Sequence, residues 1–224
     1  KGIQSPASFI HIAEQNGLIL PIGQRIMHQA CKQLAKWWQH EHTQCRLSVN
    51  LSARQFNDSQ LLQCICELIG QYQLDPAWLE IEVTESILIN DLNDSIKTLK
   101  ALREIGVGIA LDDFGTGYSS LSYLKQLPIT TLKIDQSFIK ELPGDGKSCA
   151  ITHLLLGLSK KLGMQVVAEG VETIEQYEFL TNEGCDLIQG YYISPAVSGR
   201  KFEALLRQSH PKPSDLVQGI NSRC

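Results

Sequence analysis

Polar residues gather where the apolar runs of this chain stop. V-N-L-S places Asn50, and E-V-T-E places Glu82 and Glu85. L-D-D places Asp112 and Asp113, and L-K-I-D places Lys133 and Asp135. A-E-G places Glu169 with Glu172 close behind, and I-Q-G places Gln189. Asn50, Glu82, Asp112 and Asp113 offer only oxygen donors, which suit Mg²⁺ or Mn²⁺ rather than Zn²⁺. Crowded carboxylates raise one another's pKa unless a cation compensates. A lysine among them has two uses. It could form a Schiff base with a carbonyl substrate, as in a lyase. It could instead orient a water and steady charge on a phosphate. The surrounding acids favour the protonated amine and therefore the second use. Glu169, just ahead of a glycine, is the candidate general base. An acidic cluster, a metal and a lysine together fit metal-assisted hydrolysis of a phosphate ester, without naming the substrate.

The elements that would position these residues alternate. Helices are expected over residues 6–15 and 21–41, the second with Ile22, Ile26, Ala30, Leu34 and Trp37 or Trp38 on one face. Further helices are expected over 58–72, capped by Asp58 or Ser59, and over 91–105, ended by Gly106. Short helices follow at 121–126 and 136–141, and longer ones at 148–162, 174–183 and 199–208. Strands are expected at 46–52, 79–84, 107–112, 131–135 and 164–168, with a sixth near 186–189. Strands alternating with helices imply a parallel sheet, whose C-terminal strand ends open on one face. Each strand reads as apolar until that end. No internal repeat or linker appears before residue 209, so residues 1–208 read as one domain and 209–224, with Pro211 and Pro213, as a loose tail.

The 224 residues are 43% hydrophobic and 20% charged, enough apolar material for a substantial core. The net charge of −4 argues against a broad grip on a DNA or RNA duplex, so a phosphate-bearing ligand needs local cations or a metal. No run of 18 apolar residues marks a membrane span, and the expected location is cytoplasmic. The seven cysteines are irregularly spaced and read as reduced thiols. Cys64-x-Cys66 falls on a helix where i and i+2 do not share a face, and His40-Glu41-His42 reads as a solvated helix end.

The stretches FIHIAEQNGLI, SVNLSARQF, LEIEVTES, ALDDFGTGYSSLSYL, LKIDQSF, VVAEGVET and QGYYIS, in this order and spacing, resemble the EAL-domain family of bacterial cyclic di-GMP phosphodiesterases. The resemblance covers roughly residues 3 to 206. It implies an α/β fold, a modified TIM (β/α)₈ barrel, that linearises cyclic di-GMP to 5′-pGpG with Mg²⁺ or Mn²⁺. Asn50, Glu82 and Asp112 match the family's metal ligands, and Asp113 its second-metal aspartate. Lys133 matches the lysine that positions the attacking water, Glu169 the catalytic glutamate, and Gln189 a residue beside the metal and water. Glu85 matches the glutamate that holds the DDFGTG loop. Asp135 and Glu172 match further acids of that face. The loop itself, 113–119, implies a homodimer. An upstream sensor or GGDEF domain is also expected of the parent protein.

One departure stands out. The Glu-Ala-Leu that names the family, expected near the end of an early strand, reads as absent from this chain. By family spacing it falls roughly ten residues before Lys1. The chain is therefore expected to begin inside something longer, with an incomplete barrel and little or no activity of its own. The alternative expectation is a non-catalytic cyclic di-GMP receptor acting through partners.

Overall fold

The computed structural model describes residues 8–41, 45–115 and 121–208. The expected start of the first helix at Pro6, His42, the loop beyond Gly115 and the tail from residue 209 lie outside the described residues. Helices α1 (Ile10–Gln15) and α2 (Ile19–Glu41) come first. α2 begins two residues earlier than expected, because Pro21 falls in the first turn, where a missing N–H costs no hydrogen bond. Its buried face is also rotated from the expected one. Ile19, Gly23, Met27, Cys31 and Leu34 point inward, whereas Ile26 is 49% exposed. Gly23 lies close against Gln55: a Cβ there would fall 1.9 Å from Gln55 Nε2, so a larger residue would push that side chain aside.

Six strands follow, each returning through helical segments. β1 is Leu47–Asn50, β2 Leu79–Thr84, β3 Gly108–Phe114, β4 Thr131–Ile134, β5 Gln165–Ala168 and β6 Leu187–Ile188. They form one sheet in chain order, and every neighbouring pair is parallel. Between them lie α3 (Ala53–Phe56), α4 (Leu61–Tyr72), α5 (Glu85–Ile89), α6 (Leu92–Ile105), α7 (Leu121–Leu124), α8 (Gln136–Ile139), α9 (Gly146–Leu162) and α10 (Ile174–Asn182), and α11 (Gly199–Gln208) closes the order. The short helices α3 and α5 add to the expected elements. α3 is set by a reciprocal capping box between Ser52 and Gln55. α4 starts at Leu61 rather than 58. Asp58 Oδ1 accepts the Gln60 N–H, so it makes the turn before the helix and not its cap.

The sheet is strongly curled into a half-barrel. Neighbouring strands stand about 4.8 Å apart, so in a flat sheet β1 and β5 would be roughly 19 Å apart. Yet Arg46, the residue before β1, places Nη2 2.6 Å from Gln165 Oε1 on β5. Leu79, Ile81 and Val83 of β2 are fully buried in the apolar core, and alternation turns Glu80 and Glu82 to the concave face. Glu80 corrects the expectation that each strand stays apolar until its end. It is 5% exposed at mid-strand, and it accepts from Arg46 Nη1 (2.7 Å), Ser48 Oγ (2.9 Å) and Thr131 Oγ1 (2.6 Å). These partners make its burial tolerable. Among the described residues no helix is long and apolar enough to cross a membrane.

Candidate active site

Because all six strands are parallel, their C-terminal ends share one rim. The register carries the polar residues onto it. Asn50 pairs with Glu82, Thr84 with Asp112, and Lys133 with Val167. Glu169 and Gln189 continue the ladder just past β5 and β6, donating their N–H groups to Ile134 O and Ala168 O. β3 is irregular where it matters. Its register with β4 shifts between Leu111 and Phe114, and Asp113 has φ 55°. A bulge of this kind re-aims side chains, and aspartate tolerates the left-handed region better than most residues. Both Asp112 and Asp113 reach the rim as a result, and the Asp113 N–H donates to Asp112 Oδ1 (3.1 Å).

Lys133 sits at the centre. Its Nζ lies 2.7 Å from Glu169 Oε1, 2.8 Å from Glu82 Oε2 and 3.1 Å from Asp112 Oδ1, so one ammonium bridges β2, β3 and the end of β5. Its side chain is 5% exposed. Burial works against the charge, but the hydrogen bonds to Glu169 and Glu82, and the charges of those carboxylates, outweigh it and hold Lys133 above its ordinary pKa. Glu169 is pushed up by burial, against the pull of Lys133 and with the push of Asp112 and Glu82. Asp113 is pushed up by burial and by the charges of Asp112 and Asp135.

Four carboxylates thus face one ammonium, a surplus of three negative charges. Oxygens of Asp112, Asp113 and Glu169 lie within 4.8 Å of one another. All three are hard donors, and the surplus charge and the raised carboxylates are what a divalent cation would relieve. The residues present therefore fit a hard divalent metal. Below them a cavity of about 290 Å³ opens, lined by Glu82, Lys133 and Gln189 near the rim and by Arg46, Ser48 and Glu80 deeper in. A larger groove of about 890 Å³ runs along α2, but its polar lining is lysine, glutamine and tyrosine, with no carboxylate.

The remaining candidates are placed less centrally. Asn50 stands exposed on the strand beside Glu82, and Gln189 is exposed at the cavity mouth. Asp135 caps α8, accepting the Ser137 N–H at 2.9 Å, and its charge reaches Asp113. Glu172 is exposed, and the structure does not bring it to Lys133. Glu85 is buried at the start of α5 and accepts a hydrogen bond from the Tyr123 hydroxyl. Tyr123 and Glu80 went unnoticed in the sequence. Glu80 carried a signal, since it stands two residues before Glu82 and so shares its face. Tyr123, in the run L-S-Y-L, carried none.

A Glu-Ala-Leu tripeptide does occur, at 203–205. It lies on α11, not on a strand. Glu203 Oε1 accepts from Lys36 Nζ (2.7 Å), Gln33 Nε2 (3.1 Å) and Trp37 Nε1 (3.3 Å) of α2. It tethers two helices and has no place at the rim.

The family model described as EAL domain matches residues 1–196. The cyclic di-GMP phosphodiesterase PA2567 of Pseudomonas aeruginosa is 41% identical over 207 residues, 92% of this chain and 35% of that protein. The solved structure of the PaMucR phosphodiesterase in complex with c-di-GMP is 41% identical, with a TM-score of 0.86, covering 90% of this chain and 81% of that one. The BlrP1 manganese/cy-diGMP complex of Klebsiella pneumoniae is 30% identical, with a TM-score of 0.70, covering 77% of this chain and 43% of that one. The chain spans about a quarter to a third of the length of the first curated relatives it matches.

Proposed function

The chain belongs to the EAL-domain family, and from that premise we propose that its parent protein hydrolyses cyclic di-GMP to 5′-pGpG with Mg²⁺ or Mn²⁺. The observation that carries this reading is the buried ammonium of Lys133 held by Glu82, Asp112 and Glu169 at the strand-end rim. Asn50, Glu82, Asp112 and Asp113 would hold the cation, with Glu169 within reach of both aspartates. When bound, the cation supplies positive charge to the phosphodiester and acidifies water. Lys133, kept protonated by its neighbours, orients the attacking water and faces the negative charge that develops on phosphate. That protonation argues against a Schiff-base lyase, which needs a free amine. Glu169 accepts the proton of the water, and its raised pKa brings it nearer the range where a base works well. The water oxygen bonds to phosphorus, the P–O3′ bond breaks, and the leaving 3′-oxygen takes a proton. Gln189, at the cavity mouth, supports the water and the metal from the side of β6.

Glu85, Asp135 and Glu172 support the same face in this reading, and the loop that starts at Asp113 contributes to a homodimer. The greater length of the curated relatives supports the expectation of a sensor or GGDEF domain in the parent protein.

The test is turnover of cyclic di-GMP by the full-length protein, with the products separated by chromatography. Lys133→Ala and Glu169→Gln should each lower kcat by about 10²-fold or more. Unaltered turnover in either variant removes the role assigned to that residue.

A further inference from the structure

We propose that Glu80 is a positioning residue for Glu82 and Lys133, acting through a ring of polar side chains one layer beneath them. The inference rests on the reading of Glu82 and Lys133 as active-site groups. Both layers use the same two strands. Glu80 and Glu82 stand two apart on the concave face of β2, and Thr131 and Lys133 two apart on β4. β3 runs between these strands, so in a flat sheet they would be about 9.6 Å apart. In the upper layer Lys133 Nζ reaches Glu82 Oε2 at 2.8 Å. In the lower layer Thr131 Oγ1 donates to Glu80 Oε1 at 2.6 Å. β3 presents Gly108 beneath that lower crossing. It is the register partner of Glu80, and a Cβ on it would lie 3.2 Å from Glu80 Oε1, so the carboxylate passes close over a position with no side chain.

Arg46 closes the ring. Its Nη1 donates to Glu80 Oε1 (2.7 Å) and its Nη2 to Gln165 Oε1 (2.6 Å), and Gln165 is the register partner of Thr131. Ser48 Oγ adds a donor from β1, to Glu80 Oε2 (2.9 Å). One carboxylate and one guanidinium therefore tie β1, β2, β4 and β5 together beneath the rim. Glu80 is 5% and Thr131 1% exposed, so water competes little for these bonds. Two residues further along, about 7 Å higher, β2 and β4 carry Glu82 and Lys133. A tie of fixed length in the lower layer sets how far apart the two strands stand, and so where Glu82 and Lys133 meet. The crowded carboxylates of the rim repel one another, and the ring resists the opening that this repulsion favours.

The test uses Thr131→Val, which keeps the branched shape and removes the hydroxyl. Mn²⁺ affinity, from paramagnetic resonance of the free ion, is measured beside Tm and beside kcat and KM for cyclic di-GMP in the full-length protein. Thr131→Val is expected to weaken Mn²⁺ about 10-fold, as the loss of outer partners of a metal site does, with kcat falling in parallel and KM staying within about twofold. Thr131→Ser, which keeps the donor, should recover most of both losses. Glu80→Leu should lose at least as much as Thr131→Val, and the double variant no more than Glu80→Leu alone. Glu80→Gln, whose amide oxygen can still accept from Thr131 and Arg46, should retain more affinity than Glu80→Leu. A lower Tm in Thr131→Val with Mn²⁺ affinity and kcat unchanged below the melting range means a bond that serves stability alone, and overturns the proposal. Losses that add in full overturn it too. If the wild type leaves cyclic di-GMP uncut, the substrate reading fails while the Mn²⁺ titration still decides this one. A wild type that binds no Mn²⁺ overturns it as well. Should Thr131→Val not fold, equal Mn²⁺ affinities in Glu80→Gln and Glu80→Leu overturn it, and a higher affinity in Glu80→Gln supports it.

Discussion

Lys133 is the residue on which the rim depends. Among the described residues it is the one ammonium in direct contact with Glu82, Asp112 and Glu169, all within 3.1 Å. Breaking a buried ion pair from one side leaves the other charge uncompensated, which typically costs about 3–5 kcal/mol. Lys133→Met should therefore lower the urea stability of the metal-free chain by that order. Added Mn²⁺ should return part of the loss, because a cation again meets the carboxylates. The pKa of Lys133 is raised, so its stabilisation is fully present below the ordinary lysine value of 10.5 and is lost only as pH rises through the higher folded value. The gap between wild type and Lys133→Met should accordingly stay level between about pH 7 and pH 9. A gap that closes over that range would mean the amine is not held as a cation.

At the scale of elements, helix and strand order was legible because period and punctuation agree. Gly106 ends α6 at positive φ, and Asp91 caps its start. What escaped was set by contacts across the chain. α2 packs against Gln55 at Gly23, a contact between residues far apart in the chain. The Glu-Ala-Leu of α11 is the sharper lesson, since identical letters on a helix and on a strand end serve different chemistry. Glu203 has a lowered pKa, chiefly through its hydrogen bond from Lys36. Its contribution is present above the ordinary glutamate value and is lost as pH falls through the lowered one. The Tm difference between wild type and Glu203→Gln should be widest near pH 7 and shrink below about pH 4, with cyclic di-GMP turnover unchanged at pH 7. Lost turnover in that variant would place Glu203 in the site after all. Gly170, beside Glu169, is constrained in another way. It has φ 70°, and an added Cβ would lie 2.5 Å from Gln136 Cβ. Gly170→Ala should cost about 1–3 kcal/mol by chemical denaturation, from backbone strain and crowding at the β5 end.

At the scale of the whole molecule, the strand-end residues are legible from the order of the strands alone. In a parallel sheet, position in the chain fixes which rim a residue joins, so Glu82, Asp112, Lys133 and Glu169 had to converge if the strands were right. The curl that brings β2 and β4 within one side-chain reach was not legible. It follows from packing and from ties such as Arg46–Gln165, between residues 119 positions apart. Among the described residues the rim carries more carboxylates than cations, so a cation that binds only the folded state should stabilise it. At 100 times its dissociation constant, such a ligand adds about 2.7 kcal/mol. For a domain of this size that corresponds to roughly 5–10 °C in Tm. Saturating Mn²⁺ should therefore raise the melting temperature of this chain by that amount, and Asp113→Asn should remove most of the rise. The same variant should melt no lower than wild type without metal, because it removes a carboxylate that burial and Asp112 already disfavour in its charged form. An Mn²⁺ shift that survives Asp113→Asn would move the cation to some other group of ligands and leave the rim as a structural salt-bridge cluster.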